Sequence, residues 1–167
     1  MASKQDFTPE EWTTLLESTM VAGVAVSAAD PSGLWGTLQE FMANSAALDA
    51  SKLDPEANEL VKAVVADFQT PMARSDIRKA LHQRFADATD PADCVGRSLG
   101  CLREVSAILD AKAPGDAAAF KAWLCDISRN VAEAAVEGGL LGFGGVRVSK
   151  AEAATLDDIA NALGLPA

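Results

Sequence analysis

The chain has 167 residues, 49% of them apolar, and its 24 Asp and Glu outweigh 14 Lys and Arg to give a net charge of −10. Length and apolar content suit a single helical domain over residues 1–167, with residues 1–7 expected to be disordered or loosely held. The acidic balance repels phosphate backbones and anionic headgroups, so neither nucleic acid nor a membrane is expected as a partner.

Alanine is plentiful, tyrosine is absent and strand-length aromatic or β-branched runs are scarce. Alanine is the best helix former, so this composition favours closely packed helices. Thr8-Pro9-Glu10-Glu11 reads as a capping box with proline at the first helical position. Trp12, Leu15, Leu16, Thr19, Met20, Gly23 and Val24 then recur at helical spacing. Small residues crowd Ala22 to Ala29, where a helix permits a close approach by a core neighbour or by a second copy of the chain. The apolar run Met20 to Ala29 has about half the twenty or so residues that a membrane span needs.

Asp30-Pro31 opens a second expected helix through Leu34, Trp35, Leu38, Phe41, Met42 and Leu48. Asp54-Pro55 opens a third, with Leu60, Val61, Val64, Val65 and Phe68 on one face. Pro71 breaks the pattern, and Ser75 reads as the cap of a short fourth helix carrying Ile77, Leu81 and Phe85. Asp90-Pro91 starts a fifth, and Pro114-Gly115-Asp116 makes the turn into a sixth that ends at Gly138. Ser149-Lys150-Ala151-Glu152 is a second capping box, and Gly164 stops the last helix. The expected fold is therefore all-α, a compact bundle of about seven helices with a glycine-rich loop before the last one.

The residue types that carry chemistry are sparse. His82 is the single histidine, and Cys94, Cys101 and Cys125 are the three cysteines. Cys94 and Cys101 lie two helical turns apart, about 10 Å, too far to share one zinc ion. No metal site, catalytic residue or cofactor is expected, and the thiols read as reduced core residues. Arg78, Lys79, His82 and Arg84 form a local positive patch that suits an acidic segment of a partner or of a second copy. Glu104 and Glu133 stand in apolar helices without a carboxylate partner one turn away, so paired acid–base chemistry is not indicated.

The segment 138–149 is the one departure from ordinary helical packing. Five glycines fall within eight residues, and that density suggests a backbone path that side chains forbid. In the structural reading, Gly138 and Gly139 cap a helix and the others permit a tight reversal. In the functional reading, Gly142, Gly144, Gly145, Arg147 and Ser149 form a nest of backbone N–H groups that holds a small anion.

The run Glu137-Gly138-Gly139-Leu140-Leu141-Gly142-Phe143-Gly144-Gly145, followed by Val148-Ser149 and Glu152, resembles the C-terminal tail of a family of small, uncharacterised bacterial all-helical proteins. The start, Phe7 to Trp12 and on to Gly33, fits the same type. The resemblance implies a cytoplasmic bacterial protein and brings no activity and no catalytic residue. The expected function is a non-enzymatic interaction or regulatory module, acting on a protein partner or on itself as a homodimer. The alternative is a small-molecule or anion binder, or an enzyme, that uses the loop 138–149.

Overall fold

Helix signals in the sequence correspond to hydrogen-bonded caps in the computed structural model, which describes residues 1–29, 57–137 and 148–166. Six α-helices are present among the described residues: α1 (Pro9–Ala29), α2 (Glu59–Phe68), α3 (Pro71–Phe85), α4 (Pro91–Lys112), α5 (Pro114–Glu137) and α6 (Lys150–Ala162). A 3-10 turn, Lys4–Asp6, precedes them, and no strand occurs among the described residues. The helix expected after Asp30-Pro31 lies outside the described residues.

Five helix starts follow from short polar side chains that accept otherwise orphaned backbone N–H groups. Thr8 Oγ1 accepts the Glu11 N–H at 3.2 Å, while the Glu11 carboxylate accepts the Thr8 N–H at 2.7 Å. Asp90 Oδ1 accepts the Asp93 N–H at 2.8 Å, with Pro91 at the first helical position. Ser149 and Glu152 make the reciprocal pair at the head of α6. At α3 the expectation needs correction. Its cap is Thr70, whose Oγ1 accepts the Ala73 N–H at 3.2 Å, and Pro71 starts the helix where the sequence pattern suggested a break. A proline at the first turn has no N–H to lose, so it initiates here. Helix α2 begins at Glu59 behind an Asn58 cap, whose Oδ1 accepts the Leu60 and Val61 N–H groups.

Helix α1 is the axis of the bundle and touches each of the other five, most extensively α4. The sequence pattern suggested one apolar face. The structure instead buries every residue from Leu15 to Val26. A helix apolar all round has no solvent side to offer, and its neighbours must enclose it. The small residues of the 22–29 stretch are used in that enclosure: Ala22 and Ala25 have no exposed surface within the single chain. Close approach there lets Ser128 Oγ on α5 reach the Ala22 carbonyl at 3.2 Å. Ser18 and Thr19, also buried, donate back to the Leu15 and Leu16 carbonyls at 2.6 and 2.8 Å. These bonds remove the penalty of placing hydroxyls in an apolar interior.

Leu60, Val64 and Phe68 of α2, Ile77 and Leu81 of α3, Leu102, Val105 and Leu109 of α4, and Phe120 and Leu124 of α5 complete one hydrophobic core. A single residue, Ala113, joins α4 to α5, accepting from Ala117 and donating to Leu109. No described helix is long and apolar enough to cross a membrane.

Residues 1–7, expected to be loose, instead make the contacts of a docked segment. The Ala2 N–H donates to Asp116 Oδ2 at 2.7 Å, and the Asp116 carboxylate also accepts from Asn58. Lys4 pairs with Asp67 at 2.7 Å, the same carboxylate oxygen that accepts Trp12 Nε1. Phe7 is buried against Trp12, ring centroids 5.7 Å apart. An aromatic anchor and two polar ties oppose the entropy of a short polar segment.

Helix α6 ends in a paired closure: the Leu165 N–H donates to Ala160 O and the Gly164 N–H to Asn161 O. Gly164 adopts φ +72°, the left-handed conformation this closure requires, and Ser106 of α4 donates to the neighbouring Leu163 carbonyl. Gly164→Ala is expected to lower the unfolding free energy by about 1 kcal/mol, because a Cβ is strained at that φ. Urea unfolding checks this, and an unchanged midpoint would mean that the α6 terminus adopts another path.

Candidate functional site

An open groove of about 520 Å³ lies between the first half of α1 and the last half of α3. Pro9, Glu10, Thr13 and Thr14 form one wall, Ala80 and Gln83 the other, and Glu17 with Arg84 the floor. The walls follow from local sequence. On α1 the bundle encloses the helix only from Leu15 onward, so the turns before it keep one polar side in water. Thr13 and Thr14 hydroxyls donate to the Pro9 and Glu10 carbonyls at 2.9 and 3.0 Å, which holds them in place along the groove.

The floor is an ion pair inside the fold. Glu17 is 2% exposed, in the middle of the apolar axis helix. Arg84 meets it side-on, Nε to Oε1 at 2.7 Å and Nη2 to Oε2 at 3.0 Å. Glu104 of α4 lies 3.5 Å from Arg84 Nη2 on the solvent side. Two parallel charge-assisted bonds are the geometry that best offsets the desolvation of a buried carboxylate. The bond to Glu17, ahead of the surrounding charges, raises the Arg84 pKa further above its ordinary value. Arg97 locks the approach: it donates to the Arg84 carbonyl at 2.9 Å through Nη1 and to Asp93 through Nε. The C-terminus of α3 is thereby tied to α4, with the Arg84 side chain directed onto α1.

The cysteines belong to the interior. All three are buried and unpaired by disulfides. Burial, with Glu17 as the next cause, pushes the Cys101 thiol up to about 12. Burial likewise raises Cys94 and Cys125. A nucleophilic cysteine needs the opposite shift, so these thiols are poor nucleophiles in the folded protein. His82 stands on the exposed side of α3, away from the core that holds them.

Of the residues expected to bind an anion, Gly142, Gly144, Gly145 and Arg147 lie outside the described residues. Ser149 is described, and its hydroxyl accepts the Glu152 N–H at 3.1 Å while its own N–H donates to Glu152 Oε2 at 2.7 Å. Its polar groups therefore serve the α6 cap. The positive patch expected on α3 loses one member, since Arg84 turns inward to Glu17 while Arg78, Lys79 and His82 face solvent. Glu17 was not singled out by the sequence reading. The signal was there: it is the last charged residue before a run of twelve uncharged ones, 18–29. A carboxylate bordered by apolar residues on every side of a helix needs an internal cation.

Comparison of the chain with protein-family models, curated proteins and solved structures finds no match.

Removing either partner of the floor pair should destabilise the fold unequally. Arg84→Met strands an enclosed carboxylate and is expected to lower the unfolding free energy by about 3 kcal/mol. Glu17→Leu leaves Arg84, still 24% exposed and near Glu104, with an expected loss of about 1–2 kcal/mol. Combining the two should recover most of the Arg84→Met loss in a urea-unfolding cycle. Strict additivity would show that the two side chains act independently.

Proposed function

We propose that the protein is a non-enzymatic helical interaction module that acts on a protein partner or on a second copy of itself. One observation carries this reading: the α1–α3 groove presents neutral Thr13, Thr14 and Gln83 along its walls, and its floor charges are already paired with each other. Such a recess offers shape and hydrogen-bonding groups to an incoming side chain or segment, while its strongest ions are held in place by the fold. The three raised, buried thiols support the same reading, because they hold no activated nucleophile near the groove. The tail resemblance to small bacterial helical proteins, a cytoplasmic location and a seventh helix opened by Asp30-Pro31 complete the proposal.

Site-specific photo-crosslinking tests it. A benzophenone amino acid replaces Thr13 or Gln83 in cells, with a control at the exposed Asp126 of α5. The expected outcome is a discrete protein adduct from both groove positions, absent at position 126 and lost when Thr14→Arg fills the groove. Equal or absent adducts at all three positions would overturn the reading. So would a small molecule found in the native mass spectrum and lost on denaturation.

A further inference from the structure

Helix α3 is the single described helix with a cationic surplus. Arg74, Arg78, Lys79 and Arg84 stand against one carboxylate, Asp76, in a chain where acids outnumber bases by 24 to 14. Arg84 is consumed by the interior, and Arg74 Nε donates to the Phe68 carbonyl at 3.4 Å. At 100° per residue, Arg78 and His82 fall on the side of the helix away from the groove-lining Ala80, Gln83 and Arg84, while Lys79 lies at the groove's edge beside Gln83. Arg74, Ser75, Arg78, Lys79 and His82 are all exposed. Met72 is 77% exposed and lies about 120° round the helix from Arg78, on the Lys79 side. Lys79 has a weak, open contact with Asp76 at 3.5 Å. Such an exposed pair contributes little and is easily exchanged.

We infer that this outer face of α3 is a docking surface for a short acidic peptide segment of another protein. The inference deepens the interaction-module reading and rests on it. Charge and length select the occupant. Arg74 and Arg78 lie one helical turn apart, about 6 Å along the axis, with Lys79 next to Arg78. Carboxylates one helical turn apart on a partner match that spacing. The field of the row reaches about 8 Å at physiological ionic strength. A short segment stays within it. A nucleic acid or a second copy extends past it, into the acidic surface of the rest of the chain, where like charges repel.

The test uses the full chain, labelled with nitrogen-15, and a capped helical peptide of about 14 residues with glutamate at every fourth position. A scrambled isomer of the peptide is the control. The expected result is saturable shifts in the amides of residues 72–82, stronger for the patterned peptide than for the scrambled one. Affinity should fall about tenfold in Arg78→Glu/Lys79→Glu, and again as salt rises from about 50 to about 300 mM. Far-UV circular dichroism and urea unfolding confirm that the double variant is folded, and Lys150→Glu/Arg129→Glu controls for loss of charge elsewhere.

Shifts outside α3, no saturable binding, or equal binding by the double variant would each overturn the inference. Shifts in 72–82 that grow with protein concentration alone would replace the peptide with a second copy. Equal affinity for a single-stranded oligonucleotide would replace it with nucleic acid. Failed peptide binding alongside intact groove cross-links sinks this inference alone, whereas lost cross-links sink the reading beneath it.

Discussion

A helix with no solvent face dictates most of this structure. From Leu15 to Val26 every side chain of α1 is covered, so the other helices must pack around it. Each fully buried leucine or valine contributes about 1.5–3 kcal/mol relative to exposure, and this one helix supplies several of them. The same enclosure imposes a rule on its polar atoms. Ser18 and Thr19 answer it locally, by bonding back to their own helix. Glu17 cannot, because a carboxylate only accepts, and a cation has to come from elsewhere in the fold. Arg84 arrives from α3 for that purpose, and Arg97 fixes the end of the helix that carries it.

That internal pair also organises the surface. With Arg84 drawn inward, α3 is tied to α1 at the floor of the groove on one side. On its other side it turns the remaining cations outward. The chain is acidic in bulk, so this single cationic stretch is a local exception, and one element borders both candidate contact surfaces. The proposed interaction module recognises by shape in the groove and by charge on the outer face. Its interior is chemically quiet: the thiols are protonated by burial, and the buried ions neutralise one another.

Local signals were legible where the physics is local. Thr8-Pro9, Asp90-Pro91, Ser149 with Glu152, and Gly164 each act within a few residues, and each marks a helix end in the structure. Pro71 was misread because proline has two opposite meanings, breaking a helix interior and starting a first turn. The choice depended on Thr70 as the cap. The apolar core positions of α2 followed their helical period. The floor pair was not legible as a pair. Glu17 and Arg84 are 67 residues apart, and nothing local tells an arginine on a polar helix that it turns inward. The docking of residues 1–7 escaped for the same reason, since Lys4 and Ala2 find Asp67 and Asp116 only once the bundle has formed.

Native-state hydrogen exchange of the α1 amides is the most direct test of this account. If α1 is the enclosed axis, the amides of Leu16 to Val26 open only when the whole molecule unfolds. Their exchange free energies should then equal the global unfolding free energy and exceed those of α3 and α6. Exchange of these amides at a lower free energy than α4, through local opening, would contradict the claim that the bundle is built around α1.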